Sequence, residues 1–340
     1  MIDEAGLGEL AARALAGLGM EKADAEDAAR ILVLGDLFGH HTHGVSRVES
    51  YGERIKLGGI DPRARPAVEE AAPALARIDG RNALGPVVGM RALESAIGIA
   101  RTQGTGTALA RNSNHFGAAG AYCWLAAEAG FASVVASNAS VTIAPTGGRE
   151  ARLGNSPIAF GVPGDDGNHF VLDMALSVVA RAKIRAAAAR GATIPDTWAT
   201  DREGRPTSDP KAALDGFLLP IGGYKGYGLA LAVDLLAGML PGAAYLTHVN
   251  SWSEQPRESG NLGHFFLAID TSVLGSREWL AERMRDFARI LHETPAADPA
   301  APVKLPGENE LARMQQQRRD GIQVDAAVLR MLQERAAGAP

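Results

Sequence analysis

The chain of 340 residues lacks the sequence features that mark disulfide-rich, nucleic-acid-binding and membrane-spanning proteins. Its one cysteine, Cys123, excludes an intrachain disulfide framework and is typical of a reducing compartment. No stretch concentrates lysine and arginine, and the net charge is -5, so the basic surface that a nucleic-acid partner needs is missing. The longest apolar run, 229–240, is interrupted by Asp234 and is too short to cross a bilayer.

The N-terminal segment also lacks the signal of secretion. It reads Met-Ile-Asp-Glu, which is acidic where a secretory signal is basic, and no apolar segment follows. Hydrophobic residues make up 46% and charged residues 21%, a composition that argues against disorder. We therefore expect a folded cytoplasmic protein that has neither a membrane nor a nucleic acid as partner.

Known phosphate-binding fingerprints are absent as well. No Gly-x-Gly-x-x-Gly pattern follows a predicted strand, and no P-loop pattern occurs, although the chain has 40 glycines. The glycines form short clusters, at 145–149 and at 222–228, and in the second of these Lys225 precedes an apolar helix-like run. Each cluster is a weak indication of a phosphate site, because glycine loops are often plain turns.

Hydrophobic periodicity predicts helices in the first 60 residues, one of them from about Val45 to Leu57, and then an alternation of helices and strands. Two apolar runs, 157–162 and 169–174, flank a Gly-Asp-Asp-Gly turn and predict an antiparallel hairpin. We therefore predict an α/β (α+β) fold whose sheet is partly antiparallel and is not a purely parallel Rossmann sheet. The other predicted elements are helices at 87–102, 118–129 and 277–291, a last helix capped by Asp325, and strands at 107–111, 131–137 and 264–269.

Three residues with useful chemistry recur at four-residue intervals: His43, Arg47 and Tyr51. In a helix they would share one face and present an imidazole, a guanidinium fork and a phenol. Such a face can hold a small carboxylic acid and exchange a proton with a neighbouring oxygen. The alternative is a solvated face with an accidental histidine, and spacing alone leaves both open.

A second histidine, His115, lies in the segment Asn112-Ser-Asn-His-Phe-Gly117, where a predicted strand passes into a predicted helix. The positive end of a helix lowers the pKa of a nearby histidine, which leaves a neutral imidazole for proton transfer. Its small polar neighbours favour a functional role over a structural one. The cluster of His40, His41 and His43 does not favour a metal site, because adjacent residues face different ways and no acidic residue has a suitable spacing nearby.

In combination, these segments resemble the non-Rossmann malate/L-lactate dehydrogenase family, in blocks that keep the family's order from about residue 5 to 335. The blocks include Thr42-His-Gly-Val-Ser-Arg47 with Tyr51, Asn112-Ser-Asn-His-Phe-Gly117, Ala144-Pro-Thr-Gly-Gly-Arg149, Leu172-Asp-Met-Ala175, Leu219-Pro-Ile-Gly-Gly-Tyr-Lys-Gly-Tyr-Gly228 and Leu305-Pro-Gly-Glu308. Two departures, Asn155-Ser156 in a block that is usually Gly-Thr-Asn-Pro and Leu176 after Asp-Met-Ala, alter polar groups near the expected cofactor pocket.

The resemblance implies an enzyme that transfers hydride between NAD or NADP and a small 2-oxo or 2-hydroxy acid. It implies a mostly antiparallel mixed sheet, helical N- and C-terminal parts, and a homodimer with active sites near the interface. His43 and His115 would face the reacting carbon, and Arg47 and Tyr51, next to Thr42, would bind the substrate carboxylate. The residues expected to contact the cofactor are Asp173, Met174, Ala175, Ser177, Tyr224, Lys225, Gly307, Glu308 and Asn309.

Three parts are expected: a helical part at 1–75, an α/β nucleotide-binding and catalytic core at 76–275, and a helical part at 276–340 that packs back on the first. Arg181, Lys183 and Arg185 follow the expected cofactor strand and favour NADP slightly, although they could be a solvated basic turn. On the same scaffold, the alternative activity is that of a ketimine or imine reductase, which forms N-methyl amino acids or reduces a piperideine carboxylate. A metal hydrolase and a non-catalytic binding protein are the alternatives from other classes.

Overall fold

The computed structural model describes residues 1–338. Its helices are α1 (Glu4–Ala16), α2 (Lys22–Leu37), α3 (Arg47–Leu57), α4 (Gly85–Gln103), α5 (Ala119–Glu128), α6 (Arg181–Ala189), α7 (Pro210–Asp215), α8 (Tyr224–Asp234), α9 (Arg277–His292), α10 (Glu308–Asp320) and α11 (Ala326–Ala337). Its strands are β1 (Ala67–Ala72), β2 (Leu75–Asp79), β3 (Thr105–Ser113), β4 (Phe131–Ser137), β5 (Val141–Ile143), β6 (Leu153–Gly154), β7 (Pro157–Val162), β8 (Phe170–Ala175) and β9 (Leu262–Asp270).

Seven of the strands form one mixed sheet in the order β1-β2-β3-β9-β4-β7-β8. Only β2 and β3 pair in parallel, and the other neighbours are antiparallel. The predicted hairpin is present as β7 and β8, and the predicted strand at 264–269 is the core of β9, in the middle of the sheet. The prediction of a mostly antiparallel mixed sheet, distinct from a Rossmann sheet, is confirmed.

Apolar residues on both faces of the central strands divide the interior into two cores. In β4, Phe131 and Val135 face a large core with α1, α2, α4 and α5, whereas Val134 and Ala136 face a smaller core. The alternation is the two-residue period of a strand, and here both of its faces are covered. The smaller core packs residues of α6, α8 and the segment around Leu218.

The chain ends meet on the side of the larger core. Helix α11 packs on α1, and α10 packs on α2, so these C-terminal helices return to the N-terminal ones. The segment 1–75 is not wholly helical, because it contains β1 and the first residue of β2. The boundaries of the three parts stay a prediction. Within residues 1–338, no helix combines the length and the apolar character needed to span a bilayer.

Candidate active site

A short loop between β3 and α5 carries His115, at the strand-to-helix junction that the sequence predicts. The pairing of β3 with β9 shifts register between Ala110 and Ser113, and Asn112 adopts a positive φ of 52° there. The side-chain amide of Asn114 donates to the Ala83 carbonyl at 2.9 Å, which ties the loop to the segment before α4. The polar residues before His115 therefore anchor the loop that presents it.

A buried histidine of β9, His264, contacts the end of β3, where this loop begins. Its Nε2 lies 2.7 Å from the Ser113 hydroxyl, and its Nδ1 lies 2.9 Å from the Ser137 hydroxyl. Its ring stacks on Phe116, with the ring centroids 4.4 Å apart and the planes nearly parallel. Burial lowers the pKa of His264 to about 3, so the ring is neutral and joins two serine hydroxyls from neighbouring strands.

The imidazole of His115 is held on one side by Tyr51 of α3. The Tyr51 hydroxyl is 2.8 Å from His115 Nδ1 and 3.3 Å from the His115 carbonyl oxygen. Among the described residues, Nε2 of His115 has no hydrogen-bond partner, and it is not one of the fully buried unpaired atoms. Because Nδ1 is occupied, Nε2 is the nitrogen available to a ligand.

The second predicted histidine, His43, lies beside the first. The ring centroids of His43 and His115 are 5.2 Å apart, and the Thr42 hydroxyl is 3.0 Å from His43 Nδ1. Arg47 donates from Nε to the Thr42 carbonyl at 2.5 Å, while no described residue receives a hydrogen bond from its two terminal nitrogens. The four residues therefore form one cluster with an accessible guanidinium fork.

One feature of the predicted helix is wrong. His43 does not share a helical face with Arg47 and Tyr51, because it lies in a 3₁₀ turn, His41–His43, and α3 begins only at Arg47. The carboxylate of Asp36 in α2 accepts from the Val45 backbone at 2.7 Å and binds the His41 ring at 2.9 Å. These bonds hold the segment in a turn against α2, so the helix cannot extend back through His43.

Burial and one nearby cation set the protonation of the cluster. Burial, reinforced by the Arg47 charge, lowers the pKa of His43 to about 4. The pKa of His115 lies well below its usual value, because of burial first and then the charges of Arg47 and His43. Burial raises the pKa of Tyr51. Near neutral pH the site therefore presents two neutral imidazoles, a neutral phenol and a permanent cation.

Two residues that the sequence analysis missed complete this cluster: Trp252 and Arg54. The Trp252 ring centroid lies 5.9 Å from that of His115 and 6.0 Å from that of Tyr51. The Arg54 guanidinium stacks over the Trp252 ring at 4.4 Å. Arg54 follows Tyr51 by three residues on α3, so its helical spacing was a signal, but nothing in the sequence points to Trp252.

A cavity of about 200 Å³ lies between the segment after α2 and the edge strand β8. It is lined by Phe38, His40, Gly120, Val171, Leu172, Asp173, Pro306, Gly307, Glu310 and Leu311. One carboxylate oxygen of Asp173 accepts from the Gly120 backbone at 2.8 Å, and burial raises the pKa of this carboxyl. Gly307 has a φ of 91°, and a Cβ there would lie 2.5 Å from the Val171 carbonyl oxygen, so only glycine lets the chain pass so close to β8.

The residues of this cavity suit part of a dinucleotide. Its volume is below the 300–1,000 Å³ that is usual for a whole ligand, so it would hold one ribose- or ring-sized portion. A carboxylate whose second oxygen has no backbone partner suits a ribose hydroxyl. His40 also lines the cavity, although the sequence analysis gave it no role.

The other predicted cofactor residues lie elsewhere. The segment Met174–Ala175 continues β8, and Met174 packs against the smaller core. Ser177 donates to the Val179 carbonyl at 2.9 Å. Tyr224 and Lys225 begin α8 and do not line the cavity. Glu308 and Asn309 begin α10 next to Gly307, where Asn309 accepts from the Lys304 ammonium at 2.7 Å. The roles of these residues stay a prediction.

No group of three or more His, Cys, Asp or Glu side chains within residues 1–338 is placed to hold a metal ion. His41 is exposed and pairs with Asp36, whereas His43 turns towards His115, so the three neighbouring histidines do not converge.

Comparisons with known proteins agree with this architecture. The sequence profile of the malate/L-lactate dehydrogenase family matches residues 2–333, so the chain belongs to this family. The predicted family, and with it the oxidoreductase class, is confirmed.

Three relatives illustrate the similarity. L-sulfolactate dehydrogenase of Methanocaldococcus jannaschii is 38% identical over 318 residues, which cover 93% of this chain and 90% of that protein. The solved structure of that dehydrogenase gives a TM-score of 0.90 at 34% identity and covers 99% of this chain and 96% of the other. Ureidoglycolate dehydrogenase (NAD(+)) of Escherichia coli is 33% identical over 318 residues, 94% of this chain and 90% of that protein. The structure of delta1-piperideine-2-carboxylate reductase of Pseudomonas syringae gives a TM-score of 0.88 at 29% identity, and it covers 98% of this chain and 99% of the other.

Proposed function

We propose that the protein reversibly interconverts a small 2-oxo acid and the corresponding 2-hydroxy acid with a nicotinamide coenzyme. The observation that carries the proposal is the cluster of His115, His43 and Tyr51 beside the Arg47 fork. In this proposal the guanidinium would bind a carboxylate and the imidazoles would exchange a proton, and the cavity lined by Asp173 and Gly307 would hold part of a dinucleotide.

Arg47 would bind the substrate carboxylate. Its Nε is fixed on the Thr42 carbonyl, so its two terminal nitrogens are held as a pair, and a planar pair of donors matches a carboxylate in bidentate geometry. Binding there orients the adjacent C2 carbonyl towards the imidazoles. Tyr51, which the family resemblance also assigns to the carboxylate, has its hydroxyl on His115, and we propose that it orients this ring.

His115 would exchange the proton. In reduction, hydride adds to C2, the C=O π electrons move to the oxygen, and that oxygen takes the proton from Nε2 of the His115 imidazolium, which becomes a neutral imidazole; oxidation reverses these transfers. Because the pKa of His115 is low, this imidazolium is the minor form near neutral pH. In the protonated ring, the Tyr51 hydroxyl can accept from Nδ1–H and donate to the His115 carbonyl. His43, one ring away, would hydrogen-bond the same oxygen and fix its direction.

The nicotinamide coenzyme would supply or accept the hydride, while the protein positions the groups and manages the proton. Asp173 would hold a ribose hydroxyl in the cavity, and the backbone around Gly307 would form its wall. The NAD(+) in the name of the E. coli relative supports NAD. Arg181 supports NADP less than its sequence position suggests, because its guanidinium donates to the Leu214 carbonyl. A fluorescence titration with NADH and NADPH decides between them.

The assignment is tested by His115→Asn and His43→Asn, with the exposed His248→Asn as control. We expect loss of the proton-transfer group in His115→Asn to lower kcat about 10²–10⁴-fold, with unchanged circular dichroism. His43→Asn should lower kcat less, and His248→Asn should not change it. Turnover close to that of the unmodified protein in both His115→Asn and His43→Asn would refute the proposal.

Imine reduction is the second candidate, and the depressed pKa values favour considering it. With His43 near 4 and His115 also low, few imidazoles are protonated at neutral pH. An iminium substrate already carries its proton and needs none from the protein. Pyruvate assayed with and without methylamine separates the two activities, since an imine reductase needs the amine and a 2-oxo acid reductase does not.

We also propose that the protein is a cytoplasmic homodimer. Helix α8 and the π-helical segment Leu235–Met239 that continues it expose a strip of apolar side chains: Tyr224, Leu229, Leu235, Leu236, Met239 and Leu240. A contiguous exposed apolar strip is typical of a protein–protein interface. Light scattering coupled to size exclusion should give twice the chain mass of 35.5 kDa, and Leu240→Glu should reduce it towards one.

A further inference from the structure

We propose that Trp252, held in place by Arg54, determines substrate specificity: its indole forms an apolar wall beside His115 that favours 2-oxo acids with an uncharged substituent on C2. Substrates with a second anionic group, such as a carboxylate or sulfonate, would be disfavoured. This inference rests on the proposed function and specifies the substrate class of that same site.

The position of the indole is the first support. Trp252 packs at 60° to the His115 ring and at 70° to the Tyr51 ring, with centroids about 6 Å apart in both pairs. Its side chain is half-buried, so part of its surface is accessible. The indole therefore lies within about one ring's width of the imidazole that would contact the substrate oxygen.

The wall is fixed by a buried arginine. Arg54 is only 2% exposed, and it donates to the carbonyls of Trp252 at 2.8 Å, Gln255 at 3.4 Å and Glu258 at 2.5 Å. Its guanidinium also stacks on the indole at 4.4 Å. One side chain thus ties three points of the loop to α3, the helix that carries Arg47 and Tyr51.

The end of α3 also contacts this loop, next to the Arg54 guanidinium. A Cβ on Gly59 would lie 2.2 Å from the Pro256 carbonyl oxygen, so the loop rests directly on this glycine. The backbone amide of Gly59 in turn donates to the Arg54 carbonyl at 2.9 Å. The loop is therefore seated on α3, and a small displacement of Arg54 would move Trp252.

The positions of the charged side chains explain why an uncharged C2 substituent would be preferred over an anionic one. Arg47 is the permanent cation that acts on His43, His115 and Tyr51, and it is needed for the C2 carboxylate. The guanidinium of Arg54 already donates hydrogen bonds to the loop carbonyls. Among residues 1–338 the cation stacked on the indole is the buried Arg54, so a second anionic group there would lose water without reaching an accessible cation, which is costly, whereas an alkyl group would gain apolar contact.

The test compares kcat/KM for pyruvate, 2-oxobutyrate and 2-oxoisovalerate with that for oxaloacetate and 3-sulfopyruvate. The variants are Trp252→Phe, Trp252→Ala and Arg54→Lys. The unmodified enzyme should prefer the alkyl substrates by about 10-fold or more, which corresponds to an apolar contact of ordinary size. Trp252→Ala should lose this preference mainly through KM, and Trp252→Phe should keep most of it.

Arg54→Lys retains the charge but cannot reach three carbonyls, so it should reproduce the KM effect of Trp252→Ala. Trp279→Phe, an exposed tryptophan on α9, is the matched control and should change nothing. Arg257→Gln tests the exposed cation of the same loop and should not affect the substrate ratio. Thermal unfolding confirms that each variant is folded.

The outcomes are distinct. If the enzyme is active but prefers oxaloacetate or 3-sulfopyruvate, or if Trp252→Ala leaves the substrate ratio unchanged, the inference is overturned while the proposed function stands. A loss of dianion activity in Arg257→Gln would also overturn it. If no 2-oxo acid is reduced with either coenzyme, the proposed function fails and this inference fails with it.

Discussion

The buried ring of His264 should make the protein sensitive to acid in a way that one substitution reveals. Folding lowers the pKa of His264 from 6.5 to about 3. Above pH 6.5 the ring is neutral in both the folded and the unfolded chain, so it causes no pH dependence. Between pH 6.5 and 3 the unfolded chain binds a proton that the folded chain does not, so the free energy of unfolding decreases as the pH is lowered.

The slope follows from the shift. Each pH unit below 6.5 should cost about 1.4 kcal/mol of unfolding free energy from this residue alone. His264→Phe removes the titration and keeps a ring against Phe116, but it leaves the Ser113 hydroxyl with only the Asn114 carbonyl at 3.4 Å. That loss should destabilise the variant by about 2 kcal/mol at pH 7. The two stability curves should therefore cross about 1.5 units below pH 6.5, near pH 5.

The assay is urea unfolding followed by circular dichroism at half-unit intervals from pH 7.5 to 4.5. The exposed His248→Gln serves as the control and should keep the slope of the unmodified protein. Below the crossing, the His264→Phe variant should be the more stable protein. Curves for His264→Phe and the unmodified protein that stay parallel between pH 7 and 5 would refute the reasoning, because the buried ring would then not resist protonation.

Three further substitutions test the other contacts. Tyr51→Phe removes the hydroxyl that orients His115, so steady-state assays should show a kcat about 10-fold lower with little change in KM. An unchanged kcat would show that this hydrogen bond does not contribute to turnover. Arg47→Lys keeps the charge but loses the paired donors, so kcat/KM for 2-oxo acids should fall about 100-fold, and a loss below about threefold would argue against bidentate binding. Asp173→Asn should weaken coenzyme binding about 10-fold in a fluorescence titration, without altering KM for the oxo acid, and equal affinity would remove Asp173 from the site.

Local sequence signals predicted His43, His115, Arg47 and Tyr51, which the structure brings into one cluster, because these residues lie near strand and helix ends. Two apolar runs around a Gly-Asp-Asp-Gly turn predicted the β7–β8 hairpin, and the strand β4 and the helix that carries Arg47 and Tyr51 were also predicted. His43 was misplaced for a reason outside its own segment, since Asp36 of α2 holds the backbone before α3 in a turn. A competing tertiary hydrogen bond of this kind leaves no periodicity to read.

The missing residues depend on contacts between distant parts of the chain. Arg54 and the Trp252 carbonyl are separated by 198 positions, and Ser113 and His264 by 151. Trp252 lies in a loop without a pattern, and His264 resembles any buried strand residue until its two serine partners are known. The order of the strands is equally nonlocal, because β9 enters between β3 and β4 from far along the chain.

That central position of β9 has a consequence for how the molecule reaches its folded state. Until residues 262–270 have left the ribosome, β3 and β4 each keep an unpaired edge, and the seven-stranded sheet exists only as two halves. Pairing across such separations is slow, since a long loop must close before any contact repays its entropy. The same insertion brings His264 between Ser113 and Ser137. We therefore expect the loop that presents His115 to become ordered only after β9 has paired, and truncation before residue 262 should yield chains that aggregate through their open edges.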